Sequence, residues 1–252
     1  MTSLIETHDH GPIRELRLAR PPVNALDPAL CLALRDALTQ AAQDGVGGLV
    51  LAGGPKVFSA GLDVPHLLSL TDPAALRAAW DAFFAAARAL AAAPMPVVAA
   101  LAGHAPAGGC VLALCCDYRV MAAGDYRIGL NETQVGLVAP EGIQRLLRRV
   151  VGARQAERLL VGGLLLDSDE ALRLGLVDAL AASDEVSLEA RRWLETLLAL
   201  PRAPMLQTRA IARADLIAAL EPDTVDLDRL IDAWNAPDTQ AGLQALAARL
   251  RR

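Results

Sequence analysis

Two short apolar runs, Gly48 to Ala52 (GLVLA) and Pro96 to Leu101 (PVVAAL), do most to limit the folds open to this chain. Each reads as a buried strand, and each is preceded by a helix signal. Asp27-Pro28 supplies an N-cap and a first-turn proline to a segment that stops at Gly45. Asp72-Pro73 does the same for an Ala-rich segment running to about Ala92. Upstream, Ile13 to Leu18 (IRELRL) alternates apolar and charged residues as a half-buried strand does. Strand and helix take turns, and crossover helices between successive strands favour parallel pairing. The class is α/β, with chemistry expected in loops at the strand ends.

After about Ser187 the strand signals vanish. Helical periodicity covers Leu188 to Leu200, Pro204 to Leu220, Val225 to Trp234 and Gln240 to Leu250, punctuated by Pro201, Pro204, Pro222 and Pro237. The chain therefore divides into a core, 1–186, and a helical C-terminal region, 187–252. Helices apolar on more than one face are expected to pack on the core and against another subunit.

A chain of 252 residues can bury a core large enough for an enzyme. It is 54% hydrophobic but only 3% aromatic, a composition of packed helices and strands rather than disorder. Net charge is -5 and Lys56 is the only lysine, while Arg148-Arg149, Arg191-Arg192 and Arg251-Arg252 are short and mixed with acids, so no nucleic-acid partner is expected. MTSLIETHDHG has neither a secretory nor a mitochondrial leader pattern, which gives a cytoplasmic expectation. The apolar runs are too short or too interrupted to span a membrane. Cys31, Cys110, Cys115 and Cys116 lack zinc spacing and read as buried thiols; no metal is expected. His8-Asp9-His10 reads as a mobile polar turn, and the sequon Asn131-Glu132-Thr133 as accidental.

Two loops after predicted strands are richer in small residues than turns require: Phe58 to Asp63 (FSAGLD) and Gly103 to Cys110 (GHAPAGGC). Both can present backbone N–H groups. Gly108 and Gly109 precede Val111 to Cys116 (VLALCC), whose reading as a buried helix would aim unpaired amides and a positive dipole end at a developing oxyanion. Further on, Gly129 to Gln134 (GLNETQ) sets one carboxylate, Glu132, between an amide and a hydroxyl. Two readings of Glu132 are open from the residues alone, a surface acid at a helix start capped by Asn131 or a general base.

Taken in order, VNALD, KVFSAGLD, GHAPAGGCVLALCCDYRV, YRIGLNETQVGLVAP and ALRLGLVD resemble the crotonase superfamily, also called the enoyl-CoA hydratase/isomerase family, along nearly the whole chain. PAGGC, CDYR and GLNETQ are most similar to its mitochondrial-type Δ3,Δ2-enoyl-CoA isomerases. The resemblance implies a spiral of ββα units with a helical C-terminal region, and trimers or dimers of trimers. It also implies an acyl-CoA thioester substrate whose coenzyme A is part of the substrate, with no separate cofactor.

By motif, the Leu62 and Gly108 N–H groups form an oxyanion hole for the thioester carbonyl. Ala60, Gly61, Leu62, Asp63 and Val64 line the acyl-CoA path, and Val23 and Ala25 lie near the pantetheine or adenine. Glu132 becomes the general base and acid, with Asn131 as an orienter. Hydratases of the family carry a second glutamate three residues after the oxyanion glycine, where this chain has Val111. One base suffices to move a double bond, so the resemblance implies a Δ3,Δ2-enoyl-CoA isomerase of fatty acid β-oxidation. An apolar wall including Val111 would raise the Glu132 pKa.

Relatives often carry lysine where this chain has Pro65. Lys56, Arg20 or the C-terminal arginines then become candidates for coenzyme A phosphate, and His66 reads as an exposed loop histidine. The alternatives are a hydratase or another dienolate-forming acyl-CoA enzyme, and a non-catalytic binding or assembly subunit.

Overall fold

The computed structural model describes residues 3–250. Three strands open the sheet: β1 (Ile5–His10), β2 (Ile13–Leu18) and, after α1 (Pro28–Gln43), β3 (Gly48–Ala52). Two helices follow, α2 (Val64–Ser69) and α3 (Pro73–Ala91), then β4 (Val97–Leu101) and the two-residue β5 (Ala105–Pro106). Next come α4 (Gly108–Leu114), β6 (Tyr118–Ala122), β7 (Ile128–Gly129) and a 3-10 turn, Glu132–Val135. Helices α5 (Glu141–Val151), α6 (Ala153–Gly162) and α7 (Ser168–Arg173) lead to β8 (Ala179–Ala181). The remainder is helical: α8 (Val186–Leu198), α9 (Arg202–Ala212), α10 (Ala214–Ala219), α11 (Pro222–Val225), α12 (Leu227–Asn235) and α13 (Pro237–Leu250).

The main sheet runs β1-β2-β3-β4-β6-β8, and a small second sheet pairs β5 with β7. Within the main sheet, among the described residues, only the β1–β2 hairpin is antiparallel; the crossovers place the other strands parallel, as the alternating pattern predicts. GLVLA and VVAAL are apolar throughout because helices cover both their faces. Leu49, Leu51, Val97 and Ala99 face the large core shared with α1 and α3. Val50, Val98 and Val120 face Val186, Ala190 and Leu194 of α8.

The helix starts follow their caps. Asp27 accepts from the Leu30 N–H and Asp72 from the Ala74 N–H. Four details depart from the sequence reading. His8-Asp9-His10 lies in β1, an edge strand with its polar side chains outward, where Arg14 Nε meets Asp9 Oδ1 at 2.7 Å; a strand so polar shows no apolar alternation. Helix α4 begins at Gly108 rather than Val111, because the glycines themselves form its first turn. The Pro204–Leu220 segment breaks at Arg213, whose guanidinium turns into the core. The last helix starts at Pro237, three residues earlier than expected, since proline suits a first turn.

Helices α9 and α10 are tethered to the sheet by one largely buried acid. Asp117 meets Arg209 Nε at 2.8 Å and Arg213 Nη1 at 2.9 Å, and it also accepts from the Val97 N–H at 2.7 Å. Every hydrogen-bonding position of that carboxylate is used, which is what a buried charge needs. All four cysteines are free and buried. Burial pushes the Cys31 and Cys115 thiols up to about 12, so they stay neutral and serve as packing.

Candidate active site

The two small-residue loops meet end to end. Leu26 and Leu62 form a short parallel bridge in which the Leu26 N–H donates to Gly61 O at 2.8 Å and the Asp63 N–H to Leu26 O at 3.2 Å. That alternation turns the Leu62 N–H to the opposite side, and among the described residues it has no acceptor. The Gly108 N–H opens α4, where first-turn amides lack intrahelical partners, and no side chain caps it. A Cβ on Gly108 would lie 3.4 Å from the Leu62 nitrogen and 3.0 Å from Leu26 Cδ1, so the two free donors are neighbours.

The chain accepts unusual backbone to hold this pairing. Gly61 has φ +85°, and a Cβ there would come within 3.0 Å of both the Gly108 nitrogen and Ala107 Cβ. Ala107 itself sits at φ 48°, ψ -121°, held by its N–H on Gly129 O at 2.8 Å. A non-glycine residue there is strained by roughly 1–3 kcal/mol. Behind the loops, buried Ser59 donates to Asn24 O at 2.8 Å and accepts from the Gly61 N–H at 3.2 Å. Asn24 Nδ2 in turn donates to Phe58 O at 3.0 Å.

Glu132 arrives from another part of the fold, on the 3-10 turn after β7. Asn131 makes no capping bond, which removes the basis for the surface-acid reading. The residue is only partly buried, yet its Oε2 is sealed from solvent and has no hydrogen-bond partner among the described residues. Desolvation pushes the carboxyl up to about 7, with a small opposing contribution from its own backbone N–H. An unpartnered acid in this state is costly and is an expected mark of a working group.

A cavity of about 740 Å³ joins these parts. Val23, Ala25, Ala60, Leu62, Asp63, Val64, Gly108, Asn131 and Glu132 all line it, while Gly61 is off the lining and accepts from the Leu26 N–H. Val111 is 1% exposed and forms part of its apolar wall. Of the two carboxylates on the lining, Asp63 is engaged by Arg20 Nη2 at 2.7 Å and by the His66 N–H at 3.0 Å. Glu132 is the one without an ion pair among the described residues.

The phosphate candidates fare differently. Arg20 is at the cavity but bound to Asp63, Asp27 and the Ala25 carbonyl, so it braces the loop. Lys56 is exposed and off the lining, and Arg251-Arg252 lie outside the described residues. His66 is half-buried in α2 rather than an exposed loop residue, because Asp63 caps that short helix. The sequence reading missed Trp80, Phe83, Trp234 and Leu246 on the wall. In a chain with 3% aromatic residues, three of them on helices flanking one cavity were the available signal.

The model of the family described as "Enoyl-CoA hydratase/isomerase" matches residues 9–250. The chain belongs to this family. Its crotonase fold is shared with the crystal structure of human mitochondrial delta3-delta2-enoyl-CoA isomerase, at TM-score 0.93 and 31% identity over 98% of both chains. Among curated relatives it is similar to "Enoyl-CoA delta isomerase 1, mitochondrial" of Homo sapiens, 32% identical over 98% of this chain and 83% of that one. It is likewise similar to "Probable enoyl-CoA hydratase echA17" of Mycobacterium avium, 36% identical over 81% and 82%.

Members of this family bind acyl-CoA thioesters and are generally oligomeric. Among the described residues no helix is long and apolar enough to cross a membrane, and no cluster of three or more metal-ligating side chains occurs. The site therefore offers a pair of main-chain donors, one sealed carboxyl with a pKa near neutrality, and an apolar enclosure.

Proposed function

We propose that this chain is a Δ3,Δ2-enoyl-CoA isomerase that converts cis- or trans-3-enoyl-CoA to trans-2-enoyl-CoA, as fatty acid β-oxidation requires. The observation that carries the reading is the single unpaired carboxylate, Glu132, in a cavity where Val111 supplies apolar surface at the place a second acid would occupy.

In this reading the thioester oxygen accepts from the Leu62 and Gly108 N–H groups. Withdrawal of electron density by that carbonyl and by the adjacent alkene acidifies C2. Glu132, ionised, takes the C2 proton, and the electron pair spreads through a dienolate whose negative oxygen lies on the two amides. The protonated Glu132 then gives the proton to C4 while the carbonyl re-forms, leaving the double bond between C2 and C3. Main-chain donors hold their geometry without reorganisation, and a donor of this kind supplies about 2.7–4 kcal/mol. Asn131, on the cavity wall beside the acid, would orient the thioester or the carboxylate. A homotrimer or dimer of trimers is the assembly we propose.

Hydration is the second reading, favoured by relatives named as probable hydratases. It needs a water held against C3 while a proton reaches C2, and Glu132 would have to do both alone. Purified protein given 3-enoyl-CoA in deuterated water decides the matter. Conjugated 2-enoyl product without 3-hydroxyacyl-CoA supports isomerisation, and transfer of the abstracted proton faster than solvent exchange leaves C4 poor in deuterium; efficient 3-hydroxyacyl-CoA formation from 2-enoyl-CoA rejects it. Equal background rates in wild type and Glu132→Gln would favour a non-catalytic subunit.

A further inference from the structure

The cavity has a direction. Of its lining residues Pro21 and Pro22 are exposed, whereas Trp80, Phe83 and Trp234 retain 3%, 1% and 3% of their surface, so the aromatic part of the wall is interior. Trp80 comes from α3 in the core and Trp234 from α12 in the helical region, and their rings meet edge to face with centroids 5.8 Å apart at 79°. Trp80 also stacks on Phe84 at 6.3 Å, which packs against Phe83 at 5.2 Å. Trp80 Nε1 has no hydrogen-bond partner among the described residues, so the indole is placed by ring packing rather than by a polar anchor.

An adjoining hollow limits an acyl tail as well. A separate hollow of about 570 Å³ shares Val138, Pro140 and Leu230 with the cavity but is ringed by Glu141, Arg148, Asp223 and Arg229. Methylene groups pushed into it would lose apolar cover and desolvate charge.

We propose that the Trp80–Trp234 pair is the chain-length gauge of this cavity, confining the chain's enoyl-CoA substrates to short and medium unbranched tails. The proposal rests on the acyl-CoA reading above and deepens it. Rigid, closely packed rings from two elements form a stop that an aliphatic wall would not, since displacing one ring disturbs the aromatic cluster behind it. The stop is formed only when α12 is docked on α3, so the helical region sets substrate range.

Saturated acyl-CoAs from hexanoyl to hexadecanoyl, titrated calorimetrically into the whole protein, test the gauge without requiring turnover. While the tail lengthens inside apolar surface, each methylene should tighten binding about fourfold. In wild type that gain should stop at a medium chain length. Trp234→Leu should carry it to longer tails, making dodecanoyl-CoA at least about fourfold tighter relative to octanoyl-CoA than in wild type. Leu246→Phe, which narrows the same wall, should stop the gain earlier. Trp80→Leu is the alternative if the Trp234 variant does not fold, and circular dichroism and melting temperature report folding in each.

A break at the same length in wild type and all folded variants, or no break through hexadecanoyl-CoA, overturns the gauge. Failure of every acyl-CoA to bind wild type would instead overturn the acyl-CoA reading. Binding with an unmoved break leaves that reading in place and removes only the gauge.

Discussion

Leu62 and Gly108 are held by their immediate surroundings, whereas Glu132 is held by helices distant in sequence. The donor loops are fixed by Asn24, Ser59 and the Leu26 bridge, and they approach each other because Gly61 and Gly108 carry no side chains. The acid sits on a four-residue turn with no side-chain cap. Thr133 Oγ1 donates to Leu160 O of α6 at 3.3 Å, and Thr239 Oγ1 of α13 donates to Gly136 O at 2.6 Å. Gly242 completes the grip: a Cβ there would lie 2.5 Å from Val135 O. Donors belong to the core and are rigid by construction, while the acid's pose depends on the C-terminal helix.

Breaking the acid should have the largest effect. Glu132→Gln keeps shape and removes the base, and loss of a positioned acid–base group lowers kcat by about 10²- to 10⁴-fold. Acyl-CoA affinity should change little, because the thioester is gripped elsewhere. Formation of conjugated 2-enoyl-CoA measures the rate; a loss of only a few-fold would assign the proton transfer to another group.

Breaking the donors comes next. Gly108→Ala places a methyl group 3.0 Å from Leu26 Cδ1, 3.3 Å from Gly61 Cα and 3.4 Å from the Leu62 nitrogen, so the neighbours must give by a few tenths of an ångström and the added methyl crowds the donor pair. The cost of a lost oxyanion donor is about 10²- to 10³-fold in kcat. Single-turnover rates should show this loss while hydrogen exchange in β3 and β4 stays at the wild-type level. Near-wild-type turnover would mean that these amides do not bear the developing charge.

This contrast also explains what could be read from residues alone. GLVLA, VVAAL and the Asp-Pro caps announce the sheet and its crossover helices, because apolar strands covered on both faces tolerate little else. The donors were legible through FSAGLD and PAGG, where close backbone approach admits only small residues. The Glu132 position was legible as a motif, but its sealing was not. The turn that carries Glu132 is held by α6 and α13, and Val111 lines the same cavity, elements that no local pattern joins. The aromatic wall escaped for the same reason, Trp80 and Trp234 being 154 positions apart by number (234 - 80). His8-Asp9-His10 misled because an outward-facing edge strand carries polar residues on successive positions.

Loosening the grip on the turn should have a smaller effect. Gly242→Ala pushes Val135 away from α13 and with it the turn that carries Glu132; a displacement near 1 Å costs up to about 10²-fold. The loss should fall on kcat rather than KM, and the pH midpoint of activity should drop toward that of an ordinary carboxylate as water reaches the acid. Thr239→Ser, which keeps the hydroxyl donor to Gly136 O, should behave as wild type. A variant slower through KM alone, with its pH midpoint unmoved, would show that α13 only supports the fold.

The last effect is on stability rather than rate, and its sign distinguishes a sealed acid from a solvated one. Burial raises the Glu132 carboxyl from 4.5 to about 7 in the folded chain. Below pH 4.5 the group is protonated in both folded and unfolded states, so the favourable burial of the neutral acid is fully present. As pH rises through 7 the unfolded chain has released its proton and the folded chain must hold a desolvated anion, which removes about 3 kcal/mol of stability. Gln is neutral throughout, so Glu132→Gln should gain on wild type between pH 4.5 and 8, while wild-type activity rises through a midpoint near 7. Denaturant titrations across that range measure the gain. A stability difference that does not vary with pH would place the carboxylate in contact with water and leave the donors without a tuned base opposite them.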